Sequence, residues 1–109
     1  MRAEEQATEM LEEEHTAASE EYQRAVFEEA KIENKLEAQR IAAVWQALPA
    51  GVREQMAPMQ TAWNKKTTAR CKLEAAGTSI VVAEVRAAQT RCETEAMRAR
   101  VRELSQYSE

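Results

Sequence analysis

Two cysteines, Cys71 and Cys92, are the residues of this chain whose types and spacing most directly suggest chemistry, and 21 positions separate them. The stretch TAWNKKTTARC, residues 61–71, places Trp63 eight residues before the first cysteine in an otherwise polar and basic segment. A reactive thiol, a metal site, or a disulfide with an aromatic ring packed beside it would each use these residue types. Which of the three applies decides where the protein can work.

The residues available as metal ligands or as a catalytic base argue against a metal site and against a reactive thiol. Zinc is usually held by four ligands that include close cysteine pairs, whereas this chain has two cysteines, no CxxC, and a single histidine, His15. A catalytic thiol needs a neighbouring base, and His15 lies in the very polar stretch LEEEHTAASEE, which is typical of an exposed helix surface. Glutamate pairs on a glutamate-rich helix are mostly surface charge. The sequence therefore predicts no metal, no cofactor and no enzymatic activity.

A disulfide between Cys71 and Cys92 is the remaining possibility, with two buried reduced cysteines as its alternative. If helices flank Gly77, the two sulfurs lie at different heights, because Cys71 is much nearer to the turn than Cys92. Pairing then requires an irregular stretch that continues through Val81 or Val82. A small domain with a thin core gains more from a covalent link, which favours the oxidised form.

The composition predicts one all-α domain over residues 1–109. Hydrophobic residues make up 44% of the 109 residues, but many are alanines, and aromatic residues are only 5%. With 2 Gly and 2 Pro, the chain has few turn residues, and Glu, Ala, Gln, Arg and Lys are good helix formers. We expect an antiparallel three-helix bundle with a long first helix, stapled by one disulfide, with Trp63 packed near the bridge.

Proline and glycine residues, which disfavour helix continuation, divide the chain into three predicted helices. The first region, 2–48, is expected to form one long helix or two nearly continuous ones, ending before Pro49 and Gly51. Residues 1–20 are expected to form a frayed or extended arm. The larger apolar residues of this region recur at roughly helical spacing, and they are Tyr22, Val26, Ile32, Leu36, Ile41, Val44, Trp45 and Leu48.

The second and third helices are expected over 52–76 and 79–106. Gly77 suits a left-handed cap at the end of the second helix, and Thr78 or Ser79 suits the start of the third. Pro58 lies either in a first turn or at a kink. Apolar residues at spacings of three or four continue through both helices, and they include Met56, Met59, Cys71, Val85, Cys92 and Leu104.

The charge is uneven along the chain, although the net charge is only −4. Residues 1–33 hold eleven glutamates against three basic residues, which argues against a nucleic-acid partner and suits a basic protein partner. Glu12, Glu13, Glu20 and Glu21 are the candidate partner-binding acidic face, and a merely solvated face is the alternative.

No apolar run is long enough to span a membrane, and no signal peptide is visible. The chain is therefore either cytosolic or begins after a removed signal.

The spacing of several residues resembles the lysozyme inhibitor LprI-like N-terminal domain family. The resemblance rests on Q-x-x-W (Gln60 and Trp63), Cys71 eight residues later, Gly77 before TS, Cys92, Arg100 and Leu104. Upstream, IAAVWQAL resembles the LNxxYxxL helix of that family, with Trp45 in the aromatic position. Residues 36–106 are covered. The chain departs from the pattern at Thr67 and Thr68, where the family has Arg-Asp, at Ala42 in place of asparagine, and in lacking an N-terminal cysteine pair.

The resemblance implies a secreted or periplasmic bacterial helical protein without enzymatic activity. Some relatives inhibit lysozyme, so the resemblance suggests binding and occlusion of a basic glycan hydrolase. The alternative within the same compartment is a structural or protein-interaction module of the envelope that does not inhibit lysozyme. A cytosolic module that dimerises through its long first helix is a third possibility. Neither the target nor the oligomeric state follows from the sequence.

Overall fold

The computed structural model describes the backbone of residues 2–108 and the side chains of residues 19–108. Three helices make up the fold: α1 (Arg2–Ala47), α2 (Ala50–Ala76) and α3 (Val82–Ser105). This confirms the all-α fold with a long first helix. The suggestion that residues 1–20 form a frayed or extended arm concerns side chains that lie largely outside the described part, and it stays a prediction.

Consecutive helices run antiparallel, as predicted, so α1 and α3 run in the same direction. Contacts between α1 and α3 advance together along both helices, from the Gln23–Glu84 pair to the Asn34–Thr94 pair. The α2–α3 contacts advance in opposite directions, since Cys71 meets Cys92 whereas Gln60 meets Arg100. Helix α3 thus packs against both other helices.

The molecule is elongated because α1 is much longer than its partners. Its 46 residues compare with 27 in α2 and 24 in α3. At about 1.5 Å per residue, α1 alone spans roughly 69 Å, and the longest dimension of the molecule is 76 Å.

Pro49 separates α1 from α2 as expected. Its φ of −55° and ψ of 142° take the chain out of helical geometry, and its carbonyl oxygen accepts a hydrogen bond from the Arg53 amide at 3.0 Å. Helix α2 therefore begins immediately after the proline, and it continues through Pro58.

The turn between α2 and α3 differs from the sequence-based expectation in two respects. Gly77 has φ −86° and ψ −5°, which is right-handed geometry, so the predicted left-handed cap is wrong. The helix ends instead through a hydrogen bond from the Gly77 amide to the Ala75 carbonyl.

The predicted cap of the third helix at Thr78 or Ser79 is also wrong, since the residue preceding α3 is Val81 and it makes no side-chain capping bond. Ser79 acts earlier, because its hydroxyl oxygen accepts a hydrogen bond from the Val81 amide at 3.0 Å. The irregular stretch 77–81 that results is the one required for the cysteines to meet.

The large apolar side chains of the core lie at one end of the bundle. Leu48, Met56 and Leu104 are buried there, where α1 passes into α2 and α3 ends. Partly buried residues packed around them are Ile41, Val44, Trp45 and Val52. Elsewhere the interface consists of small residues such as Ala30, Ala75 and Ala87, which let the helices approach closely.

Three residues of the predicted apolar stripe of α1 are not in the core. Tyr22, Ile32 and Leu36 are 71%, 60% and 59% exposed. The buried positions in this part of α1 are Ala30 and Glu37, which lie on another side of the helix. The stripe is therefore split between two faces, and α3 covers only one of them.

Candidate functional site

The predicted disulfide is present and joins α2 to α3. The Sγ atoms of Cys71 and Cys92 are 2.13 Å apart, and the Cα atoms are separated by 5.5 Å, within the usual range for a disulfide. Cys71 is fully buried and Cys92 is half-buried. A carboxylate oxygen of Glu74 lies 3.4 Å from the Cys92 sulfur, which has no proton to donate when oxidised. The bridge therefore acts as a structural link.

Trp63 is placed away from the disulfide. Cys71 follows Trp63 by eight positions, which corresponds to about 12 Å along the helix, or about two turns. The partner of the indole is Arg100 of α3, whose guanidinium carbon lies 5.7 Å from the ring centroid. This distance is within the range of a cation–π interaction.

Arg100 also binds Gln60, so three residues of the sequence motif meet in one cluster. The Arg100 Nε donates to Gln60 Oε1 at 2.9 Å, and Nη1 donates to Glu103 at 2.8 Å. The Arg100 side chain is only 13% exposed, so its partners hold it in place. Leu104, one turn further along α3, is fully buried in the core. These contacts hold α2 against α3, which is a structural role.

An open groove lies between α1 and α2, with α3 as its floor. Its volume is about 390 Å³, and both tryptophans, Trp45 and Trp63, line it from opposite sides. Ile41 of α1 and Met97 of α3 add apolar surface. Its polar and small lining residues are Asn34, Ala42, Gln46, Gln60, Asn64, Thr67, Thr68 and Glu93. An apolar groove with a few convergent polar groups is the usual form of a binding site.

The threonines at the two positions where the resembled family has Arg-Asp occupy different environments. Thr67 is 8% exposed and faces the helix interface, whereas Thr68 is exposed at the edge of the groove. A hydroxyl at Thr68 gives the groove a neutral rim at that point.

The candidate acidic face lies on a separate part of α1. Glu20 and Glu21 are exposed, and the side chains of Glu12 and Glu13 lie outside the described residues. Glu28, Glu29 and Glu33 continue the exposed acidic surface towards the bundle. Since the groove begins near Asn34, the acidic face and the groove are neighbouring but distinct surfaces.

A buried polar layer between α1 and α3 was missed by the sequence-based interpretation, which treated glutamates as surface charge. Glu37 is 4% exposed, and its Oε1 accepts hydrogen bonds from Arg40 at 2.7 Å and from Arg98 at 3.4 Å. Next to it, Asn34 Nδ2 donates to the buried Thr94 hydroxyl at 3.1 Å. A glutamate at a position with core-facing spacing is the signal that could have revealed it.

Arg98 is the cation of this layer. Partial burial lowers the pKa of its guanidinium, but the hydrogen bonds and negative charges of Glu95 and Glu37 outweigh that effect and raise it. Arg98 is therefore charged whenever the protein is folded, and it neutralises the Glu37 carboxylate.

Metal chemistry and membrane insertion find no support in the described structure. Within residues 19–108, no three potential metal ligands of the histidine, cysteine or carboxylate type come together. Among the helices that the structure describes, none is long and apolar enough to cross a bilayer.

Comparison with known proteins adds no family assignment. No protein-family model matches the chain, and no curated protein or solved structure matches it either.

Proposed function

We propose that this chain is a non-enzymatic binding protein of an oxidising compartment, either the bacterial periplasm or the extracellular medium. The Cys71–Cys92 disulfide is the observation that supports an oxidising compartment, because cytosolic glutathione and thioredoxin keep most protein thiols reduced. Cys71 is fully buried, which shields one side of the bridge from thiols in solution, as expected of a permanent structural link rather than a transient redox pair.

The groove supports binding as the activity. Trp45 and Trp63 present half-buried indoles from two different helices, and Arg100, itself bound to Gln60, contacts the Trp63 ring. Tryptophans fixed in this way contribute strongly to protein interfaces, because little side-chain entropy is lost when they are covered. A partner side chain or helix that enters the groove would contact all three helices at once.

A basic glycan hydrolase such as lysozyme is the partner we propose. Exposed glutamates near the start of the described part of α1, Glu20 and Glu21, would attract a cationic surface and orient it. The groove lies next to this acidic surface, so one partner can contact both. Inhibition would result from occlusion of the substrate cleft, without any chemical step.

A turbidity assay of cell-wall hydrolysis by a basic lysozyme tests the proposal. We expect inhibition at micromolar protein that weakens as salt is added, because salt screens charges at the rim of an interface. Glu21→Lys should weaken inhibition by about fivefold, which corresponds to about 1 kcal/mol for an exposed charge. The matched control is Glu54→Lys, which makes the same charge change at an exposed glutamate of α2. Absence of inhibition at low salt would contradict the lysozyme assignment.

The second candidate function is an envelope structural or interaction module that does not inhibit lysozyme. The neutral rim at Thr68 favours it, since the Arg-Asp pair of the resembled family is missing there. In this case Ala42→Glu, which places a charge in the groove, should abolish capture of a specific envelope protein. Ala69→Glu, at an exposed position on the outer surface of α2, should leave capture unchanged.

A further inference from the structure

One face of α1 carries large exposed apolar side chains. Ile32 and Leu36 lie on the open side of the helix, and Tyr22 borders a cleft next to the start of α3. Tyr22, Ile32 and Leu36 are 71%, 60% and 59% exposed, and their spacings of ten and four residues place them on the same side of the helix. Ala25 lies between them on this side and is also exposed. We call Tyr22, Ala25, Ile32 and Leu36 the outer stripe.

The outer stripe is separate from the groove, and apart from Tyr22, which borders the cleft next to the start of α3, it is also separate from the α3 interface. Helix α3 packs against the side of α1 that carries Ala30 and Glu37. The groove opens on the side that carries Ile41 and Trp45. A partner on the outer stripe would therefore leave the groove accessible.

Charges beside the outer stripe change sign along α1. Residues 20–29 contain four glutamates and one arginine, whereas Lys31, Lys35 and Arg40 follow within the next eleven residues. Two glutamates also occur in that second part, but Glu37 is buried and bonded to Arg98 and Arg40, so only Glu33 is an exposed acid there. Lys31 pairs with Glu28 of the same helix at 2.7 Å, where the two halves meet. This segment of α1 is acidic in its first half and basic in its second.

We propose that the outer stripe binds a second copy of this chain, with the two α1 helices antiparallel. In this orientation the acidic half of each helix faces the basic half of the other, with Glu28 of one copy near Lys35 of its partner. The small Ala25 then faces the large Leu36 across a two-fold axis. A parallel arrangement would instead place glutamate opposite glutamate and lysine opposite lysine.

The length of the outer stripe sets the expected strength of the dimer. The distance from Tyr22 to Leu36 is fourteen steps along the helix, or about 21 Å, which is short for a permanent interface. The dimer should therefore dissociate on dilution. It would carry two accessible grooves, one from each copy.

Sedimentation equilibrium over low to high micromolar concentrations tests whether the outer stripe is a dimer interface. The wild-type chain should show a reversible monomer–dimer equilibrium, and Leu36→Lys should raise its dissociation constant at least about tenfold, as expected when a large apolar contact is replaced by a charge. Leu73→Lys is the control, because Leu73 is a 77% exposed leucine within α2. Both changes are at exposed positions, and circular dichroism will show whether the helices are retained. A chain that is monomeric throughout, or a dimer that Leu36→Lys does not weaken, would overturn the proposal.

A charge exchange tests the orientation. Glu28→Lys and Lys35→Glu should each weaken the antiparallel dimer, and the double variant should restore it because the opposite charges are then simply exchanged. In a parallel dimer the single change Glu28→Lys would not be rescued in this way by Lys35→Glu. Added salt should reduce the differences between these variants. Because Glu28→Lys also removes the Glu28–Lys31 pair within α1, the comparison is with the single variants. A double variant that binds no more tightly than either single variant would overturn the antiparallel arrangement.

Discussion

At the scale of single residues, Arg100 shows how a charged side chain serves packing. It is held by the Trp63 ring, by Gln60 and by Glu103, with only 13% of its side chain exposed. Its aliphatic stem covers apolar surface while its guanidinium is bound at fixed positions. Three of the residues that carry the family resemblance, Gln60, Trp63 and Arg100, therefore meet in the structure, and their packing accounts for their spacing.

Replacement of Arg100 by methionine tests this role. Arg100→Met keeps much of the apolar stem but loses the cation–π contact and leaves the partly buried Gln60 oxygen without its donor, so we expect a loss of about 1–2 kcal/mol in the free energy of unfolding. Urea denaturation followed by circular dichroism measures it. Arg86→Met, at an exposed position of the same helix, should change stability by less than about 0.5 kcal/mol. Equal effects of the two substitutions would contradict the assigned contacts.

At the scale of the elements, the loop between α2 and α3 determines whether the cysteines can pair. Its irregular residues 77–81 shift the start of α3 to Val82 and bring Cys92 level with Cys71. Gly77 makes this turn with right-handed geometry, and a Cβ added there would meet Glu74 O at an ordinary 3.8 Å. No glycine is therefore required at this position for steric reasons.

Gly77→Ala should stabilise the protein. Alanine restricts the unfolded chain without strain in the folded state, so we expect a gain of about 0.4–1 kcal/mol in the free energy of unfolding, measured by urea denaturation. A left-handed cap would give the opposite sign, because alanine is disfavoured there. Destabilisation would therefore favour the cap geometry that the sequence suggested and contradict the observed turn.

The sequence predicted where the helices begin and end more accurately than it predicted which face of each helix is buried. Pro49 and Gly77 end helices in the structure as their chemistry predicts, since both disfavour helix continuation. The faces of α1 were harder to predict, because alanine-rich helices bury small and polar residues such as Ala30 and Glu37 while Ile32 remains exposed. Apolar periodicity marks a single buried face only where large side chains fill the interface. The groove was not predicted either, since it results from two helices that pack on a third.

At the scale of the whole molecule, a small core and one covalent link support a long, narrow shape. Large buried side chains lie at one end of the bundle, around Leu48 and Leu104, and the disulfide lies further along α2 and α3, where alanines dominate the interface. In the chain-entropy model, closing a loop of this length stabilises the fold by roughly 3 kcal/mol. This is a large fraction of the free energy of unfolding of a small domain. The compartment in which the protein works would thus also determine whether it is fully stable.

The oxidation state of the two cysteines in the cell tests the central claim most directly. Protein recovered from its native source would be denatured without reductant, treated with an alkylating agent and weighed by intact-mass spectrometry. We predict that the chain has no alkylated thiols and the mass of the oxidised form, whereas prior reduction adds two labels. Two labels per chain without prior reduction would contradict both the export of this protein and the proposal that it acts on envelope partners.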